Sequence, residues 1–316
     1  MTPSNKSRST CKGRTSRAFS RILIVGGTSR AAMAFRQRLT KSEDVSVTVL
    51  TRRPCSGLGR ETLVVVNDYF SPSRLLLSQC EIVFNFVGAQ NNRLRDSYNA
   101  VNVQGPARLA FEAKSSGVER LIHLSSLSVY GDAQDIDRNT SCHPNSDYGR
   151  SKLEADSRLL EMIDENFSVT LLRIPILYGL NAGTKLRMLA SFLTRIRCFP
   201  IPAVENVRSI LHLDNLAVVL TNLISDNLEG IQFAADPQPF SISTLAEVIH
   251  QNMGRSIKLV RFPNIFFDTL KLAQPRLYDS LYARSLVRQT NNILEPQKCA
   301  VSLPEGLRQI LPKLPL

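Results

Sequence analysis

The 316-residue chain has no tryptophan, only four histidines, and six cysteines with no C-x-x-C pair among them. Cys11, Cys55, Cys80, Cys142, Cys198 and Cys299 are scattered, and none stands beside a histidine at zinc-ligand spacing. This excludes a disulfide-built scaffold and predicts structural thiols in a reducing compartment, so the expected location is cytoplasmic. His123, His143, His212 and His250 are equally dispersed, and no metal site is expected. Long apolar runs are missing too. The best candidate, Ile210 to Ile224, is broken by His212, Asp214 and Asn215, whereas a spanning helix needs roughly 18 apolar residues or more. No integral membrane segment is expected.

Acids are absent from Met1 to Arg21, where Lys6, Arg8, Lys12, Arg14, Arg17 and Arg21 supply six of the twelve excess positive charges. Half of the basic excess therefore sits in one short Ser/Thr-rich arm, and no nucleic-acid partner is expected. Such a segment cannot bury enough apolar surface to offset its ordering entropy, so residues 1–20 are expected to be disordered. Two sharper readings are a polyanion-binding arm and an organellar presequence, both of which suit Arg and Ser without acids. A secretory signal is not expected, because there is no apolar h-region.

What remains has a globular composition, 43% hydrophobic and 21% charged, in a length that suits two domains or one large one. Arg21-Ile-Leu-Ile-Val-Gly-Gly-Thr reads as a buried strand closing on a tight turn, and Ala31 to Leu39 continues as a helix. Further strands are predicted at Val45–Leu50, Leu63–Val66, Glu81–Val87, Val118–Leu124 and Val169–Ile174, with helices at Asp96–Ser116 and Asp147–Glu165. Strands alternating with helices predict an α/β fold with a doubly wound parallel sheet, since parallel neighbours need crossover connections. After Pro175 the alternation stops and prolines punctuate short pieces, which predicts a smaller C-terminal lobe. The expected division is a basic arm over 1–20, a dinucleotide-binding domain over 21–178 that also takes in 208–236, and a substrate lobe over 179–316. The apolar stretch Ile265 to Leu272 is expected to be a core helix.

In a doubly wound sheet a dinucleotide's diphosphate lies at the first strand–turn–helix. That turn reads Gly26-Gly27-Thr28-Ser29-Arg30-Ala31-Ala32, and against G-x-x-G-x-x-G only Gly26 matches, with Ser29 and Ala32 in the other positions. A plain tight turn explains the Gly pair equally well, and Ser29 is expected to add a side chain where backbone should approach phosphate. The second strand ends Leu50-Thr51-Arg52-Arg53, where an NAD protein would present a carboxylate to the ribose 2′-hydroxyl. Two guanidiniums suit a 2′-phosphate instead, so NADP(H) is favoured and NAD(H) is the alternative. Tyr148 and Lys152, four apart on a helix, share one face, which predicts an ammonium beside the phenol lowering its pKa. Ser125-Ser126, at the end of the fifth strand, supplies a hydroxyl to hold the same carbonyl or alcohol oxygen.

Several ordered segments accompany these. They are Asn67-Asp68, Phe84-Asn85-Phe86-Val87-Gly88-Ala89, Asn102-Val103-Gln104-Gly105, Ser125 through Gly131, Leu172 through Gly179, Arg208 through Ala217, and Leu303-Pro304-Glu305-Gly306-Leu307. Together with the Gly26-Gly27 turn and the Tyr148–Lys152 pair, they make the chain resemble the extended short-chain dehydrogenase/reductases, the NAD-dependent epimerase/dehydratase family, in their nucleotide-sugar branch. The resemblance implies a Rossmann-type fold with a C-terminal substrate lobe. It also implies Ser126 as catalytic hydroxyl, Tyr148 as proton donor or acceptor, and Lys152 as its partner and a ligand of the nicotinamide ribose. Gly26, Gly27, Ser29, Arg30, Arg52, Arg53, Asp68, Gly88, Ala89 and Asn102 would border the cofactor, with Asp68 near the adenine. Tyr178 and Arg208 would meet the substrate, Arg208 at its diphosphate. His212 and Asp214 read as structural.

Within that branch, Ile201-Pro202, Val207-Arg208-Ser209, Asp147 through Ala155 and Arg173-Ile174-Pro175 look most similar to 4-ketoreductases of UDP-linked 6-deoxy-N-acetylhexosamines in surface-polysaccharide synthesis. A 4-epimerase of the UDP-glucose type is the alternative, and a non-catalytic NADP-binding protein is a second. Asn85 departs from the family, where a histidine is common. The expected partners are a nucleotide-sugar substrate and a second copy packed through the Asn99–Lys114 and Tyr148–Glu161 helices.

Overall fold

The computed structural model describes residues 20–90, 98–180, 184–203, 207–274, 278 and 281–312. The basic arm therefore lies outside the described residues. The strands are Ser20–Val25 (β1), Val45–Thr51 (β2), Glu61–Val65 (β3), Ile82–Asn85 (β4), Arg120–Ser126 (β5), Asp135–Ile136 (β6), Ser168–Ile174 (β7), Ile176–Tyr178 (β8), Cys198–Pro202 (β9), Ile210–His212 (β10), Gly230–Phe233 (β11), Lys258–Phe262 (β12) and Leu286–Val287 (β13). The helices are Arg30–Leu39 (α1), Arg74–Leu77 (α2), Gly105–Ser115 (α3), Asp147–Leu160 (α4), Thr184–Leu193 (α5), Leu213–Ser225 (α6), Ile242–Met253 (α7), Asn264–Ala273 (α8) and Leu303–Ile310 (α9). A π-helical stretch, Asn99–Gln104, leads into α3.

Seven strands form one sheet in the order β11-β7-β5-β4-β1-β2-β3, and every neighbouring pair is parallel. The chain winds outward from β1 in both directions, so the order reverses between β1 and β4, and a crevice for ligand opens beyond their carboxyl ends. The continuous apolar run of β1 is what a central strand covered on both faces requires. Ile22 and Ile24 point into a core shared with α1 and α6, while Leu23 and Val25 point into a second core shared with α3 and Leu159 of α4.

Two elements differ from expectation for local reasons. Helix α4 stops at Leu160 and does not reach Glu165, because the Asp164 side chain accepts the amides of Asn166 and Phe167 and draws the chain into a turn. The seventh strand, β11, adds to the sheet through β7 from far along the chain. Its four residues are too short to show a period.

The C-terminal lobe has its own core, with Leu186, Leu193, Phe199, Ile201, Leu245 and Leu307 among its buried members. The expectation of a core helix at Ile265–Leu272 needs correction. Phe267 of α8 is buried, but Ile265 is 75% and Leu272 85% exposed. Ile265 and Leu272 are seven residues apart, which puts them on a helical face away from Phe267. Among the described residues no helix is long and apolar enough to cross a membrane.

Candidate functional site

At the end of β1 the chain must turn sharply, and Gly26 does so with φ +82°. A Cβ there would sit 2.8 Å from Val87 Cγ2, and one on Gly27 would strike Val49. These glycines let the turn settle between β2 and the loop after β4. Ser29 then caps α1: its Oγ accepts the Ala32 amide at 3.2 Å. The obstruction expected from Ser29 is thus not what the structure shows, because the hydroxyl is turned back onto its own helix. The amides of Arg30 and Ala31 sit in the first turn, where no intrahelical carbonyl reaches them. That turn holds no acid, and Arg30 is exposed upon it. A diphosphate fits this chemistry. Beneath the turn, Arg36 is buried, donates to the Gly27 carbonyl at 2.7 Å and pairs with Glu61. Sequence reasoning passed over this arginine, although a lone cation on the apolar side of α1 was a visible signal.

Arg52 and Arg53 are exposed just past β2. The Arg52 guanidinium lies 5.3 Å from the Tyr69 ring centroid, and its amide donates to the Tyr69 hydroxyl. Asp68, the neighbour of that tyrosine, accepts the Phe70 amide and faces Arg108 at 3.5 Å. These residues gather at the β2 and β3 side of the crevice.

The other side is built by β4, β5 and α4. Asn102 is fully buried and clamps the loop after β4, accepting the Ala89 amide at 2.7 Å and donating to the Ala89 carbonyl and the Ser151 hydroxyl. Its side chain is thus committed to holding Gly88 and Ala89 in place. A Cβ on Gly88 would lie 3.6 Å from Lys152 Nζ, so this loop borders the lysine directly. Ser146 caps α4 through the Gly149 amide. Gly149 lets the helix approach the Leu127–Tyr130 turn, since a Cβ there would collide with the Ser128 carbonyl. That close approach brings Tyr148 to Ser126.

Burial raises the Tyr148 phenol above its ordinary value, and the hydrogen bond with the Ser126 hydroxyl is the chief influence against it. The expectation that Lys152 lowers this phenol is corrected by where the ammonium points. Lys152 Nζ donates to the Leu124 carbonyl at 2.7 Å and meets His123 Nε2 at 3.3 Å. Burial pushes the lysine down from 10.5 to about 8, against the pull of Asp156 one turn along α4. A lysine with a depressed pKa binds its proton less tightly in the fold than in the unfolded chain. Its unfavourable contribution is fully present below about pH 8 and fades as pH rises towards 10.5. Lys152→Met should accordingly gain on the order of 2 kcal/mol of stability at pH 7 and much less at pH 10. Urea unfolding at the two values checks this, and no gain at pH 7 would refute it.

Tyr178 does not join this group. It is fully buried in the C-terminal core, donates to Asp236 Oδ2 at 2.8 Å, and packs edge-on against His212. Its full burial leaves no face for a substrate, so the expected substrate contact is corrected to a structural one. Tyr178→Phe strands an acceptor of Asp236 and should lose about 1–3 kcal/mol of stability. KM should stay within about twofold of the parent; a larger rise would restore the substrate role. Arg208 is partly buried and bridges in both directions to the Phe240 backbone, at 3.0 and 2.8 Å, where the C-terminal lobe meets the sheet. His212 and Asp214 are at the start of α6, the His212 Nδ1 accepting the Asp214 amide. Among the described residues no cluster of three or more His, Cys, Asp or Glu is placed to hold a metal.

A doubly wound sheet with a glycine turn at its switch point, and a serine, tyrosine and lysine across the crevice, defines a dinucleotide-binding protein of the tyrosine–lysine class. The model of the NAD dependent epimerase/dehydratase family matches residues 22–232, and the chain belongs to that family. It is 30% identical over 162 residues to the UDP-glucose 4-epimerase of Vibrio cholerae, covering 49% of this chain and 48% of that protein. It is 23% identical over 172 residues to the N-acetyl-alpha-D-glucosaminyl-diphospho-ditrans,octacis-undecaprenol 4-epimerase of Escherichia coli O157:H7, covering 52% of each. The matches thus span about half the length of these curated relatives. Among solved structures, the UDP-glucuronic acid 4-epimerase from Bacillus cereus in complex with NAD superposes with a TM-score of 0.70 at 15% identity, over 92% of this chain and 96% of that one.

Proposed function

We infer that the protein is an enzyme that moves hydride between a nicotinamide dinucleotide and C4 of a diphosphate-linked hexose. The observation that carries this reading is the placement of Ser126 and Tyr148 side by side, with Lys152 behind them against Gly88. A bound nicotinamide would supply or accept the hydride, which is the step no side chain can perform. The chain's own residues do the rest. The Ser126 hydroxyl holds the C4 oxygen, and the Tyr148 phenol, kept protonated through neutral pH by burial, delivers its proton to the oxygen as charge develops there. The α1 turn and the exposed Arg30 receive the dinucleotide's diphosphate, and Arg52 and Arg53 favour a 2′-phosphate over a bare ribose. Arg208 would meet the sugar's diphosphate.

Net reduction of a UDP-linked 4-keto-6-deoxy-N-acetylhexosamine with NADPH is the form of this chemistry that a protonated Tyr148 and the Arg52–Arg53 pair support, and it fits surface-polysaccharide synthesis. Epimerisation at C4 is the second reading, favoured by the names of both relatives. The fate of the cofactor separates them. Purified protein given NADPH and the keto sugar should lose absorbance at about 340 nm, at more than ten times the rate seen with NADH. NAD released on denaturing the protein, with no net oxidation of NADPH, would establish the epimerase instead.

A further inference from the structure

Two polar residues stand inside the apolar strands beneath the site. Asn85 on β4 and His123 on β5 are direct partners in the parallel register, and both are fully buried. Asn85 Oδ1 accepts the Val87 amide at 3.0 Å, which fixes the orientation of the side-chain amide, because the opposite one would set NH2 against N–H. Asn85 Nδ2 therefore faces His123 Nδ1, at 3.1 Å, as a donor. An imidazole that accepts at Nδ1 carries its single proton on Nε2, and Nε2 is the atom that meets Lys152 Nζ at 3.3 Å. An ammonium there would confront one N–H with another. An uncharged amine resolves the contact, since it has a lone pair for His123 and a hydrogen for the Leu124 carbonyl at 2.7 Å.

We propose that Asn85 and His123 are positioning residues for Lys152: Asn85 locks the imidazole in its Nε2–H tautomer, and His123 presents that N–H to the lysine nitrogen, so that the resting site weakens the hold of Lys152 on its proton. The surrounding groups agree. Burial and the nearby lysine both hold His123 well below its ordinary value, so the ring stays neutral. Asp156, the carboxylate on α4 that pulls Lys152 towards its charged form, is itself tied to Arg173 of β7 at 2.9 Å. Tyr148 and Tyr98, whose rings are 6.1 Å apart, stand at this end of α4 together with the Asp147–Arg150 ion pair. The consequence for the reaction rests on the reading above. With its proton held less tightly, Lys152 exerts less pull on the Tyr148 proton before substrate arrives, and it regains an ordinary affinity for its own proton when it leaves His123.

The test needs neither substrate nor cofactor, so its failure is distinct from a failure of the proposed activity. In the long-range proton–nitrogen NMR spectrum of the wild-type protein, the ring signals lost in His123→Gln should report a protonated Nε2 and a bare Nδ1. A protonated Nδ1 overturns the proposal. With 13Cε-labelled lysine, the Lys152 titration midpoint should rise by about one pH unit or more in Asn85→Asp, whose carboxylate accepts from Nδ1 and frees Nε2 to accept from an ammonium. An added charge alone would also raise it, so Asn85→Ala is the deciding variant: it releases the tautomer without a charge. A rise there supports the relay, and an unchanged midpoint overturns it. Where neither variant folds, the wild-type ring spectrum decides alone.

Discussion

Tyr148→Phe should reduce turnover by about 10²–10⁴-fold, the range expected on loss of a positioned proton donor, while leaving dinucleotide affinity within about twofold. The phenol is raised by burial and bonded to Ser126, so at neutral pH it keeps its proton, which the proposed reaction would deliver to a developing alkoxide. Phenylalanine keeps the ring and its contact with Tyr98, 6.1 Å away, and removes the hydroxyl alone. Single-turnover reduction measured beside calorimetric titration with the dinucleotide separates the two effects. A rate within about threefold of the parent would remove Tyr148 from the chemistry and leave the non-catalytic reading standing.

Asp156→Ala should be the most destabilising single change near the site. The Asp156 and Arg173 side chains are 1% and 4% exposed, and the carboxylate accepts from Arg173 Nε at 2.9 Å. The same guanidinium donates to the Tyr130 hydroxyl at 2.6 Å and lies 5.1 Å from that ring's centroid. Removing the carboxylate leaves a buried charge with neutral partners only, a loss of about 3–5 kcal/mol. The double variant Asp156→Leu with Arg173→Leu should recover much of that, because replacing both ions with apolar groups avoids the unpaired charge. Denaturant midpoints for the single and double variants decide it, and a double variant as unstable as the single would show that the pair contributes more than charge balance. Arg36 and Glu61 form an equally buried pair beneath the glycine turn, and the same logic applies there.

How much was legible follows from which interactions are local. The turn and the strand that feeds it are local, so Gly26 and the apolar run of β1 could be read along the chain. The four-residue spacing of Tyr148 and Lys152 is a helical fact, and it placed both on α4. Their electrostatic relation was not a helical fact. The direction of the Lys152 nitrogen is decided by His123 and the Leu124 carbonyl, which β5 supplies from about 30 residues away, and so the phenol is raised where spacing suggested it would be lowered. Tyr178 shows the same limit, since its motif surroundings suggested substrate while Asp236, 58 residues on, claims its hydroxyl. Asn85 and His123 were visible as polar interruptions in two apolar strands, but their pairing depends on strand register, which no single strand reveals. The sequence by itself determined the fold class, the glycine turn and the placing of Tyr148 and Lys152 on one helix, because periodicity and spacing within one element are properties of the covalent chain, whereas the choice of Ser126 came from the family resemblance. Only the tertiary structure decided the protonation partners, the commitment of Asn102 to its loop, the burial of Tyr178 and the exposure of Ile265 and Leu272, because each depends on which distant segments exclude water from that point.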